Sequence, residues 1–104
     1  MNAVSEDVKA LVYKELESAN ERFPQFHSEH EGYAIIQEEV EELGEESDSI
    51  EMATEQLWNR IRDGIPTAQH VALVEQYAEA AACEAIQVAA MARKYLDMLE
   101  RADE

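Results

Sequence analysis

The sequence has little structural punctuation: three glycines and two prolines in 104 residues. With abundant Ala, Glu, Leu and Met, that scarcity points to helix rather than to turn-rich structure. There is one cysteine, Cys83, so no internal disulfide can form, and a reducing, cytoplasmic setting is expected. No apolar run approaches the roughly 20 residues of a membrane span. The start "MNAVSEDVKA" lacks the basic residues and apolar core of a signal peptide. Basic residues are also scarce. Eight Lys and Arg face 24 Asp and Glu, a net charge of −16. Such a charge argues against nucleic acid or an anionic membrane as a direct partner, because both would be repelled. It is compatible with divalent cations, with a basic protein partner, or with plain solubility.

The length suits one small domain, residues 1–104, with a single modest core. No repeat, low-complexity tract or linker divides it. The 3.6-residue periodicity predicts four helices. The first runs from about Glu6 to Asn20, capped by Ser5, with Val8, Leu11, Val12, Leu16 and Ala19 on one face. "RFPQFHS" interrupts it, because Pro24 disfavours helix at Phe23. The second opens at "SEHE", where Ser28 and Glu31 have the spacing of a capping box, and runs to about Glu46. Its stripe is Gly32, Tyr33, Ile36, Val40 and Leu43. "SDS", residues 47–49, is read as the cap of a third helix that turns Ile50, Ala53, Leu57 and Ile61 inward. Gly64 and Pro66 end it. Thr67 caps the fourth, which runs to about Arg101, and "ERADE" frays. Its many alanines make that helix slim. An all-α, four-helix bundle-like fold follows, with its core completed by a second subunit.

Acids lie where apolar residues belong. At roughly 100° per residue, Glu38, Glu41 and Glu45 point away from the stripe centred on Ile36. Glu39 lies along that stripe, between Ile36 and Leu43, flanked by Glu42 and Glu46. On the fourth helix the series Tyr77, Ala81, Glu84, Val88, Met91, Tyr95 is apolar except at Glu84, and Gln87 borders it. A carboxylate so placed is costly unless it is paired or bound to metal. With basic partners scarce, Glu39, Glu42, Glu84 and Gln87 are read as oxygen ligands converging on one hard cation, Mg²⁺ or Mn²⁺.

"EGYAIIQEEVEEL" followed by "EAIQVAAMARKYL" resembles the MazG-like all-α nucleoside triphosphate pyrophosphohydrolases, especially short phage and prophage forms. The similarity spans roughly residues 23–99. The family signature is EExxE on one helix and ExxD on a later one. Glu38, Glu39 and Glu42 meet the first. Glu84 meets the acid of the second, but Gln87 stands where Asp is expected, and the segment between the motifs is longer than usual. The resemblance implies a Mg²⁺-dependent hydrolase that cleaves a nucleoside triphosphate to the monophosphate and pyrophosphate, working as a homodimer or homotetramer. It also implies reduced activity where Gln87 removes one negative charge. Glu38 or Glu42 is the expected catalytic acid that orients the attacking water.

Other residues are weighed against packing. Trp58 and Lys94 are the candidate substrate contacts, for a base and a phosphate; Tyr33 is read as core. Histidines 27 and 30 are read as cap or surface residues, and Cys83 as facing away from the stripe. The competing reading is a noncatalytic acidic helical protein that binds a basic partner; in it, Glu38, Glu41 and Glu45 would matter more than Glu39 and Glu84. A bundle that merely tolerates its core acids is the third reading.

Overall fold

The computed structural model describes residues 3–102. It is all-helical: α1 (Ser5–Arg22), α2 (Glu29–Arg62) and α3 (Ala68–Ala102), with no strand among the described residues. The four expected helices are therefore three. The second and third merge, and the cap expected at residues 47–49 lies inside α2. A serine caps only where the chain before it leaves the helix. Here nothing forces an exit. Ser49 Oγ donates to the Glu45 carbonyl at 3.1 Å and Thr54 Oγ1 to that of Ile50 at 2.7 Å, so these hydroxyls find partners within the helix. Leu43, Ile50, Ala53 and Leu57 also keep one apolar stripe running through the junction, against an equally long α3.

The remaining boundaries follow local chemistry. Ser28 is extended and its Oγ accepts from the Glu31 N–H at 3.1 Å. Glu31 reaches back, but to the His27 N–H at 3.3 Å, one residue earlier than a capping box requires. His27 Nδ1 lies 3.0 Å from the same carboxylate, which settles it as a cap-side residue. At α1 the cap position is Val4, without a side-chain bond, and Ser5 is already helical. The α2–α3 turn carries the full set of bonds of a Schellman motif. Ile65 N–H bonds the Arg60 carbonyl at 2.9 Å, Gly64 N–H bonds that of Ile61 at 3.2 Å, and Gly64 has φ +68°, where glycine is favoured. The Thr67 carbonyl then accepts from His70 and Val71 to start α3. Of the "ERADE" tail, 100–102 are helical, and residues 103 and 104 lie outside the described residues.

α2 and α3 form a long antiparallel hairpin, and α1 packs on α3 near its C-terminal half. Leu16, Phe26, Ala90 and Met91 make the buried core there, with Ile35, Ile36 and Tyr95 against it. Gly32 is buried because the Tyr95 ring lies against its backbone. Beyond α1 the hairpin continues with only Ala53 fully buried, and Trp58, Ile61 and Val71 are exposed. The molecule extends 63 Å, and its radius of gyration is 17.8 Å. A compact chain of this length has about 13 Å.

Candidate metal centre

The antiparallel hairpin sets the register of the centre. Ile35 and Met91 line one cleft, and the residues one and two turns further along the hairpin are the acids. Glu39 and Glu42 come from one face of α2, and Glu84 from the opposing face of α3. One carboxylate oxygen of each lies within 4.8 Å of the others. Oxygens on a single octahedral Mg²⁺, at 2.0–2.1 Å each, sit at most about 4.2 Å apart. Only a trans pair reaches that span, and cis oxygens sit about 2.9 Å apart, so side-chain shifts of up to about 2 Å would bring the three acids to ligand spacing.

The donor set fits a cation on a second count. The Oε2 atoms of Glu39 and Glu84 are buried and lack any hydrogen-bond partner. Among the described residues no Lys, Arg or His pairs with Glu39, Glu42 or Glu84. Buried carboxylate oxygens left without donors are costly. The electrostatics say the same. The Glu39 carboxyl is pushed up to about 7, by burial first and then by the charges of Glu42 and Glu84. Glu84 is also pushed up, by burial and then by the neighbouring Glu42 carboxyl and its charge. The charge of Glu46 adds to this, while the neighbouring Glu39 carboxyl pulls the other way. Without a cation, the cluster is a place that holds a proton near neutral pH. A divalent ion would replace that proton and satisfy the orphaned oxygens together.

The other candidate residues divide. Gln87 is half-buried, one turn after Glu84 on the same side of α3. Glu38 is exposed at the rim and reaches the cluster through its charge on Glu39. Glu41 and Glu45 are exposed, and Glu41 accepts from Gln37. Lys94 is buried rather than at the surface. Its ammonium donates to the Phe23 carbonyl, at the C-terminus of α1, and sits 4.8 Å from the centre of the Phe26 ring. Its charge is thereby engaged in holding the segment between α1 and α2. Trp58 lies on the same uninterrupted helix as Glu42, about 24 Å further along its axis. The chain does not bring it to the acids. Tyr33, read as core, is 65% exposed, and Cys83 is exposed as expected.

What the sequence reading missed is the cleft beside the acids. It measures about 470 Å³ and is walled by residues of α1, the segment after it, α2 and α3. "RFPQFHS" carried the signal, two aromatics flanking a proline, but was read only as a helix break. Comparison with protein-family models, with curated proteins and with solved structures finds no match to this chain.

Proposed function

We propose that the protein is a divalent-metal-dependent nucleotide pyrophosphohydrolase of the MazG-like kind, converting a nucleoside triphosphate to the monophosphate and pyrophosphate. The observation that carries this reading is the meeting of Glu39, Glu42 and Glu84 across two helices with two buried, unpartnered oxygens. The EExxE and ExxQ spacings, read as a resemblance, select phosphate chemistry from among the uses of such a cluster. Glu39, Glu42 and Glu84 would hold Mg²⁺ or Mn²⁺, with Gln87 beside them. The ion supplies neutralising charge between the acids and a polyphosphate, without which the two would repel. Glu38, exposed at the rim, or Glu42 would accept a proton from the attacking water. The test is release of pyrophosphate from a panel of ribo- and deoxyribonucleotides with Mg²⁺ or Mn²⁺. Absence of both pyrophosphate and metal binding would reject the reading.

Gln87 offers a graded check. An amide oxygen can ligate a hard cation but lacks the charge of a carboxylate. Gln87→Asp is therefore expected to tighten Mg²⁺ binding several-fold in calorimetry, with activity rising in step. An unchanged affinity would place Gln87 outside the ion's ligands.

The same reading includes a second copy. The accessible surface of the chain is 7699 Å², against about 5,900 Å² for a compact monomer of its mass. The difference, about 1,800 Å², is what one protomer of an obligate dimer typically covers. Ala78, Ala82, Ala85, Ala89, Ala92, Leu96 and Leu99 follow one another at alternating steps of four and three along the outer side of α3. All but Ala92 are exposed, and open grooves flank the Leu96 end of the row. A heptad row of small residues lets a second helix approach closely. Ala89→Glu, exposed in one chain, is expected to leave the monomer folded and to convert the wild-type oligomer to monomer in sedimentation.

A further inference from the structure

The cleft beside the acids has no part in holding a cation, yet it is built as a small-molecule site. Its volume, about 470 Å³, falls within the usual range for ligand pockets. Phe26 and Met91 form a buried apolar floor, and Phe23, 73% exposed, stands at its edge. Ser18, Arg22 and Glu31 add donors and acceptors of both kinds. Flat aromatic ligands that carry hydrogen-bonding edges suit such a wall, stacking on rings while their edges meet mixed polar groups.

Its position narrows the ligand. Ile35 lines the cleft, and Glu39 follows one turn later on α2. Met91 lines it from α3, and Gln87 and Glu84 precede by one and two turns. Along the helix axes these lining residues thus stand about 6–10 Å from the acids. A ligand anchored there by its phosphates carries its other end to that distance. We propose that this cleft receives the nucleoside part of the substrate, with the base between Phe23 and the Phe26–Met91 floor. The assignment rests on the pyrophosphohydrolase reading and adds to it where the base goes and which residues select it. In this arrangement the cluster supplies affinity common to all polyphosphates, and the cleft supplies the preference for nucleotides.

Two ligands separate the parts. Calorimetry with Mn²⁺ present compares inorganic tripolyphosphate with α,β-imido nucleoside triphosphates of the common bases. Wild-type protein is expected to bind at least one nucleotide ten or more times tighter than tripolyphosphate. Ala19→Trp, which fills the cleft from α1, is expected to erase that advantage and leave tripolyphosphate binding within twofold. Should Ala19→Trp not fold, Ser18→Trp takes its place, because Ser18 is exposed and tolerates a larger side chain. Tripolyphosphate binding without any nucleotide advantage, or an advantage that survives in the folded variant, overturns the cleft assignment and leaves the metal reading standing. Failure of wild type to bind either ligand overturns both.

Discussion

Glu39→Gln is expected to lower metal-dependent hydrolysis at least 100-fold and, in EDTA at pH 8, to raise the melting temperature. Both effects follow from one carboxylate. As a ligand it supplies charge to the ion, and an amide at that position leaves the cluster one charge short. Without the ion it is an ionised group, half-buried beside Glu42 and Glu84, with an oxygen that meets no donor. Removing the charge relieves that crowding. A shift to about 7 would amount to roughly 3 kcal/mol if the group were fully shielded. Screening at a half-buried position reduces it to about 1–2 kcal/mol, or roughly 5–10 °C for a chain of this size. A variant that loses activity without gaining stability in EDTA would indicate a hydrogen-bonding role for Glu39 in place of a metal role.

The pH dependence carries the sign. The Glu39 carboxyl keeps its proton up to about 7 in the folded chain, whereas its ordinary value is 4.5. Between those values the folded protein binds more protons than the unfolded chain, so metal-free stability falls as pH rises, and the loss is complete above about 7. Wild type and Glu39→Gln should melt together near pH 4.5 in EDTA, where Glu39 is protonated and nearly isosteric with Gln, and separate as pH rises to 7. Added Mg²⁺ acts in the opposite sense. It competes with the proton, so the melting temperature it adds should be small at pH 5 and largest above pH 7. The order of the two proteins then reverses, wild type melting higher. Differential scanning at three pH values, with EDTA or Mg²⁺, tests all of this.

The acids were legible because a helix makes direction a function of position. Glu39 and Glu84 interrupt apolar stripes, and a wheel shows that without coordinates. Their meeting was an inference about packing, and it depends on the antiparallel register that the Schellman turn at Gly64 sets. The helix count was less legible. "SDS" has the composition of a cap, but a cap needs a reason for the chain to leave the preceding turn, and the reason here would have to come from tertiary structure. The burial of Lys94 was not legible, because nothing in sequence links it to Phe23 and Phe26, some seventy residues away. The cleft was hidden for the same reason. It exists only where α1, the segment around Pro24 and both long helices come together.

That convergence leaves no room for a side chain at Gly32. A Cβ there would stand 2.5 Å from Tyr95 Cδ2, 3.0 Å from Cε2 and 3.2 Å from Phe26 Cδ2. The Tyr95 ring cannot swing aside freely, since its hydroxyl donates to Glu29 Oε1 at 2.7 Å and Met91 and Phe26 close the core behind it. Alanine gains about 1 kcal/mol over glycine in a helix, but forcing apart a packed core costs about 1–3 kcal/mol. Gly32→Ala is therefore expected to be neutral to destabilising by about 2 kcal/mol. Gly32→Val, with two more carbons in the same space, should cost 3 kcal/mol or more, roughly 15 °C or more in melting temperature. Gly44 is the control within the same helix, because a Cβ there meets nothing within 4 Å. Gly44→Ala should stabilise by about 0.5–1 kcal/mol. Equal responses at the two glycines would mean that Tyr95 does not pack over α2, and that the wall of the cleft is not held as described.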